Sequence, residues 1–135
     1  MIVLVTGASG GIGAACAQRF LEAGHSVIAA ARNEQALAEL AARHPGKVHT
    51  LVVDVADKAA VHDALAKLPA DYAAIDVLVN NAGLALGLEP AHRADLDEWE
   101  RMVDVNIKGL MYVTRAVLPG MVERDRGLVV NLGSV

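Results

Sequence analysis

The chain has 135 residues, one domain of ordinary size, and at 54% hydrophobic and 21% charged it is not a disordered polymer. Twelve basic against sixteen acidic side chains leave a net charge of -4 with no basic block, which argues against nucleic acid or an anionic membrane surface as partner. One cysteine, Cys16, permits no internal disulfide, no apolar run approaches the roughly 20 residues of a membrane span, and no leader pattern opens the chain, so a cytoplasmic location is expected.

Five short apolar runs predict strands: Ile2 to Val5, Val27 to Ala30, Val48 to Val53, Ile75 to Val79 and Leu128 to Leu132. Each is apolar at successive positions, as strands of a parallel sheet covered on both faces should be. The intervening stretches carry helical periodicity. Ile12, Cys16 and Phe20 form the first stripe, and Gly24 is placed to close that helix. Leu37 and Leu40 mark the second, and Val61, Leu65 and Leu68 the third, which Asp57 can cap. Residues 80–94, rich in Gly, Pro and Ala, read as a long loop. Asp95 and Glu98 predict a capping box. A helix with Met102, Val105, Gly109, Val113 and Ala116 on one face follows and bends near Pro119. The alternation is that of a doubly wound α/β fold, a Rossmann-type parallel sheet of five strands in the order 3-2-1-4-5. After the fifth strand come only Gly133, Ser134 and Val135, whereas a crossover helix should cover that strand, so a chain truncated before that helix is expected.

Between the first strand and first helix lies Thr6-Gly7-Ala8-Ser9-Gly10-Gly11-Ile12-Gly13. Glycines there permit a tight turn and close backbone approach, and the helix amino end offers unpaired amides to a pyrophosphate. The second strand ends in Ala31-Arg32-Asn33, with no carboxylate where an NAD site usually has one. A guanidinium there can pair with the 2'-phosphate of NADP; the alternative is a solvated Arg32 beside an Asn33 helix cap. Asp54, after the third strand, either accepts a bond from an adenine amino group or caps the next turn.

In these residues the chain resembles the short-chain dehydrogenase/reductase family. Thr6-Gly-x-x-x-Gly-Ile-Gly13, Asn80-Asn81-Ala82-Gly83 and Asn131-Leu132-Gly133-Ser134 are similar to three of its signatures, in order. The resemblance spans residues 1–135, read as an NADP-binding domain, the N-terminal portion of a family member. It implies that Gly7, Ala8, Ser9, Gly10, Gly11, Ile12 and Gly13 wrap the pyrophosphate and that Arg32 and Asn33 hold the 2'-phosphate. It also implies that Asp54 and Val55 border the adenine, while Asn81, Ala82 and Gly83 pass beside the ribose. Asn106 corresponds to an asparagine that holds a water in a proton relay, and Ser134 to the serine that polarises the substrate carbonyl. The family's tyrosine and lysine are expected on the next helix, since neither Tyr72 nor Tyr112 has a lysine four residues on. Residues 80–92 and 114–124 resemble those of NADP-dependent bacterial members that act on small 3-hydroxy acids. The resemblance therefore implies hydride transfer with a small hydroxy acid or carbonyl substrate, in a homo-oligomer, commonly a tetramer. A binding module without catalysis is the competing expectation.

His25, His44, His49, His62 and His92 show no metal-ligand spacing, so no metal is expected. Cys16 lies in a helical stripe and reads as a small core residue.

Overall fold

Apolar residues fill successive positions of β1 (Ile2–Thr6), β2 (Ser26–Ala31) and β4 (Val77–Asn80) because both faces of the sheet are covered. The computed structural model describes residues 1–134; Val135, the last residue of the expected domain, lies outside them. With β3 (Val48–Val52) and β5 (Leu128–Asn131), the strands pair in parallel in the order β3-β2-β1-β4-β5, as the alternation of elements predicts. Val3, Val5, Val27 and Ala29 point to one side, where Ala17, Leu21, Leu37 and Leu40 of α1 (Gly11–Glu22) and α2 (Glu34–Arg43) cover them. Leu4, Ile28, Ala30 and Leu78 point to the other, under α3 (Lys58–Ala66) and α5 (Leu110–Glu123). At roughly 25 cal/mol per Å² of apolar surface removed from water, these two layers are the main source of stability.

Three local expectations need correction. The deeply buried line of α1 is Gly13, Ala17 and Leu21, one residue beyond the predicted stripe, while Cys16 and Phe20 only flank the core and Ile12 is 63% exposed. Small residues at 13 and 17 let the helix approach the sheet closely, and Ile12 faces the cleft described below. Asp95 does cap α4 (Leu96–Val103), but it accepts from the Asp97 amide at 2.8 Å and not from that of Glu98, so the predicted box reduces to a cap. The long helix is not uniform. Between α4 and α5, residues Asp104–Gly109 form a π-helical turn, and the buried line through it and into α5 is Val105, Gly109, Val113, Val117 and Met121, with Ala116 exposed. The helix runs on past Pro119 to Glu123.

Other terminations follow their predicted chemistry. Gly24 adopts φ 89° just beyond α1, and Asn33 and Asp57 cap α2 and α3 by accepting from the Ala36 and Ala60 amides at 3.1 and 3.0 Å. Residues 81–95 form the long loop, broken only by a single 3-10 turn over Ala91–Arg93. β5 forms an outer edge on which Leu128 and Val130 remain exposed. Among the described residues no helix is long and apolar enough to cross a membrane.

Candidate active site

The chain order reverses between β1 and β4: β2 and β3 lie to one side of β1, β4 and β5 to the other. Loops leaving the carboxyl ends of these strands diverge there and open a crevice, the usual ligand position in such sheets. A cleft of about 450 Å³ occupies it, walled by the glycine loop, Arg32 and Asn33, Val53 to Val55, Asn81 to Leu84, and Val105.

The glycine loop is held from below. The Thr6 side chain, 2% exposed, accepts from the Asn81 amide at 3.0 Å and the Ala82 amide at 2.9 Å. Asn81 returns the connection: its Nδ2 donates to the carbonyls of Thr6 and Gly7, both at 3.1 Å. Gly13 seats α1 directly against this knot, where a Cβ would collide with the Gly7 carbonyl and the Asn81 amide. The first-turn amides of α1 have no intrahelical partner, and no acidic residue occupies that turn. Pyrophosphate would thus meet donors and the positive helix end without a repelling carboxylate.

Seven of the predicted cofactor residues, Gly7, Ser9, Gly10, Ile12, Asn81, Ala82 and Gly83, line the cleft near the switch point, and Arg32, Asn33, Asp54 and Val55 line its far part. Ala8 is buried and donates its amide to Ala30; Gly13 packs behind the loop and Gly11, at φ 54°, is exposed, and neither lines the cleft. The Asn33 Oδ1 is engaged in capping α2, which leaves its Nδ2 as the available donor. Asp54 does cap its turn: one carboxylate oxygen accepts from Ala56 at 3.0 Å, and the other accepts from Arg101 of α4 at 3.0 Å. Burial alone would raise its pKa. The Ala56 amide, the Arg101 hydrogen bond and charge, and the charge of Arg32 outweigh that and hold the carboxyl below its ordinary 3.8.

Asn106 stands behind the cleft wall, in the π-helical turn. Its Oδ1 accepts from the Leu84 amide and its Nδ2 donates to the Leu84 carbonyl, both at 2.8 Å, so the side chain grips the backbone as a neighbouring strand would. On the same helix Met102 Sδ accepts from the Leu86 amide at 3.3 Å, and Gly109 packs on Val55, whose Cγ2 lies 2.6 Å from where a Cβ would stand. One irregular helix thus braces two cleft loops, 53–55 and 83–86. Ser134 follows β5 at this same edge of the sheet and is exposed.

Sequence reasoning missed Thr6, Arg101 and a second polar knot. Asn80, 4% exposed, donates to Thr114 Oγ1 and to Asn131 Oδ1, both at 2.9 Å, while its own Oδ1 is buried with no acceptor bond among the described residues. Thr6 was legible, a threonine ending a buried strand directly before the first glycine. Arg101 carried no signal, because its partner lies 47 positions away.

The chain is 57% identical over 134 residues to the NADP-dependent 3-hydroxy acid dehydrogenase of Salmonella typhi, covering 99% of this chain and 54% of that protein. It is 50% identical over 137 residues to sulfoacetaldehyde reductase 2 of Chromohalobacter salexigens, again covering 99% of this chain and 54% of the relative. Among solved structures, the closed form of serine dehydrogenase complexed with NADP+ superposes with a TM-score of 0.98 at 52% identity, covering all of this chain and 54% of that one. The chain therefore spans about half the length of the relatives it matches. The family model for short chain dehydrogenases matches residues 1–135, and with the doubly wound sheet, the glycine loop and the switch-point cleft it establishes that the chain belongs to the short-chain dehydrogenase family.

Proposed function

We propose that the full-length protein is an NADP-dependent oxidoreductase that moves a hydride between the nicotinamide and the alcohol or carbonyl of a small 3-hydroxy acid. The observation that carries the cofactor assignment is Arg32 with Asn33 at the carboxyl end of β2, lining the same cleft as the glycine loop, with no carboxylate at that strand end. When bound, the cofactor supplies or accepts the hydride. The residues of this chain bind and orient. Arg32 and the Asn33 amide suit a 2'-phosphate, the first-turn amides of α1 and the Ser9 hydroxyl a pyrophosphate, and Asp54 with Val55 an adenine edge. Asn81, Ala82 and Gly83 offer backbone beside the ribose, and Asn106, by gripping Leu84, holds that wall at the substrate end. The family resemblance assigns the same asparagine to holding a water of the proton relay.

Carbonyl reduction places negative charge on oxygen, which requires a hydrogen-bond donor and a proton source of matched pKa. Ser134 is the candidate donor. The family resemblance assigns the proton source to a tyrosine assisted by a lysine in the sequence beyond Ser134. Substrate class is supported by what two relatives' names share. Oxidation of a 3-hydroxy acid at its hydroxyl gives a carbonyl one methylene from a carboxylate, and sulfoacetaldehyde is a carbonyl one methylene from a sulfonate. A small anion with that spacing is the substrate we assign.

The resemblance further implies a cytoplasmic tetramer. Trp99, Val103, Ile107, Met111, Leu118 and Val122 form an exposed apolar stripe along α4 and α5, which supports packing against a second copy. Light scattering on the full-length protein tests this, and a monomer overturns it.

The function is tested by titrating full-length protein with NADP+ and NAD+, then following NADPH formation with 3-hydroxypropionate, serine and 2-hydroxyethanesulfonate. Tighter NADP+ binding and turnover of at least one of these is expected. Tight NADP+ binding with no turnover of any alcohol would make the protein a binding module, and preference for NAD+ would overturn the cofactor assignment.

A further inference from the structure

We propose that Arg101 sets the dinucleotide preference of the cleft without touching the dinucleotide, by holding the Asp54 carboxylate in an ion pair that keeps it off Arg32 and the 2'-phosphate position. This rests on the assignment of Arg32 to that phosphate.

Arg32 and Asp54 are neighbours by construction. The Val53 amide donates to the Ala31 carbonyl at 2.9 Å, which ties the two strand ends together; Arg32 and Asp54, the residues that follow, both line the cleft, and the Arg32 charge acts on the Asp54 carboxyl. Asp54 is therefore an anion placed near a dianion. Left uncompensated, it would act twice against NADP: it would repel the 2'-phosphate, and it would draw the Arg32 guanidinium toward itself. The Arg32 side chain makes no hydrogen bond or ion pair among the described residues and is available to a phosphate. Asp54 instead has its Oδ2 3.0 Å from Arg101 Nη2, and its Oδ1 is held by the Ala56 amide.

The pair is neither fully solvated nor buried, with side chains 32% and 35% exposed, so its charges are screened less than those of a free surface pair. Arg101 itself belongs to α4 and does not line the cleft. It acts through Asp54, as a positioning residue. NAD and NADP share the adenosine contacts, so the ratio of their affinities isolates the 2'-phosphate and cancels any general disturbance of the adenine pocket.

The test is a double-mutant cycle in the full-length protein, reading NADP+ and NAD+ dissociation constants by calorimetry for the parent, Arg101→Gln, Asp54→Asn and the double variant. Arg101→Gln is expected to reduce the NADP+/NAD+ preference about five-fold at low ionic strength, and less at high salt. Arg101→Lys should recover most of the preference. In the Asp54→Asn background the same Arg101→Gln change should leave the ratio far less affected, and Asp54→Asn alone should raise the preference. An unchanged ratio in Arg101→Gln overturns the proposal. An equal loss with and without Asp54 also overturns it, because Arg101 would then act on the phosphate directly. Should Arg101→Gln not fold, the absence of a rise in Asp54→Asn decides against the proposal. A parent protein that does not prefer NADP+ is a different result, since it removes the cofactor assignment itself.

Discussion

Replacing Thr6 with valine keeps the shape of a fully buried side chain and deletes one oxygen. That oxygen accepts from two amides, Asn81 at 3.0 Å and Ala82 at 2.9 Å, and donates only over a long 3.4 Å to the Val79 carbonyl. Both amides are partly buried, so water can reach them incompletely. At about 1 kcal/mol for each amide left without its partner, Thr6→Val should destabilise the protein by about 2 kcal/mol. Loss of the donor to Val79 adds little at that distance. Thr6→Ser retains the oxygen and should lie closer to the parent. Urea denaturation of the full-length protein gives the stability difference, and hydrogen exchange by mass spectrometry on the peptide containing Asn81 and Ala82 gives the local one. Faster exchange in Thr6→Val confined to that peptide and the glycine loop is expected. A variant within about 0.5 kcal/mol of the parent, with unchanged exchange there, would show that Thr6 does not tie β1 to the loop after β4.

Other sites respond in different ways. Gly109→Ala should cost about 1 to 3 kcal/mol by overpacking against Val55, and Val55→Ala in the same chain should recover part of that, measured as non-additive urea midpoints. Asn106→Asp keeps the acceptor for the Leu84 amide but sets a carboxylate oxygen against the Leu84 carbonyl. It should therefore lower turnover more than it weakens cofactor binding, and equal losses in both would argue against a role confined to the substrate end. The Asp54 pKa lies below 3.8 in the folded chain, so its contribution to stability is present above that value and lost as pH falls through the lower folded pKa. The stability difference between the parent and Arg101→Gln should accordingly be full at neutral pH and shrink below about pH 4. A difference that is constant down to pH 2 would mean that Arg101 contributes through packing alone.

Strand existence and sheet order were readable because two covered faces force continuous apolar runs, and the crossover rules leave few topologies. Helix faces were less so. In α1 the predicted stripe at Ile12, Cys16 and Phe20 obeyed the hydrophobic scale, but the residues nearest the sheet are Gly13 and Ala17, chosen by size and invisible to hydrophobicity. The π-helical turn escaped because one extra residue in a turn leaves no compositional mark, and the error carries forward as the shift from Ala116 to Val117. The residues of the cleft were legible through its glycines and strand ends. What holds those residues was not: Thr6 to Ala82, Asn106 to Leu84 and Arg101 to Asp54 span 76, 22 and 47 positions, and hydrogen bonds over such separations have no local pattern.

The asparagine pair across β4 and β5 bears on how accurately Ser134 is placed. Asn80 and Asn131 are register partners joined by their side chains, with Thr114 completing the set from α5. β5 is a four-residue edge strand with exposed apolar groups, the kind of strand whose alignment is weakly specified. A slide by two residues would preserve which side chains face inward, so hydrophobicity cannot oppose it. It would carry Ser134 about 6.6 Å along the sheet edge, farther than a hydrogen bond can span. It would also take one of the two acceptors from the Asn80 amide nitrogen, leaving only Thr114, in a side chain whose own oxygen already has no donor. The pair thus works as a vernier: a polar contact that adds little to holding the sheet together decides to within one residue where the candidate serine stops.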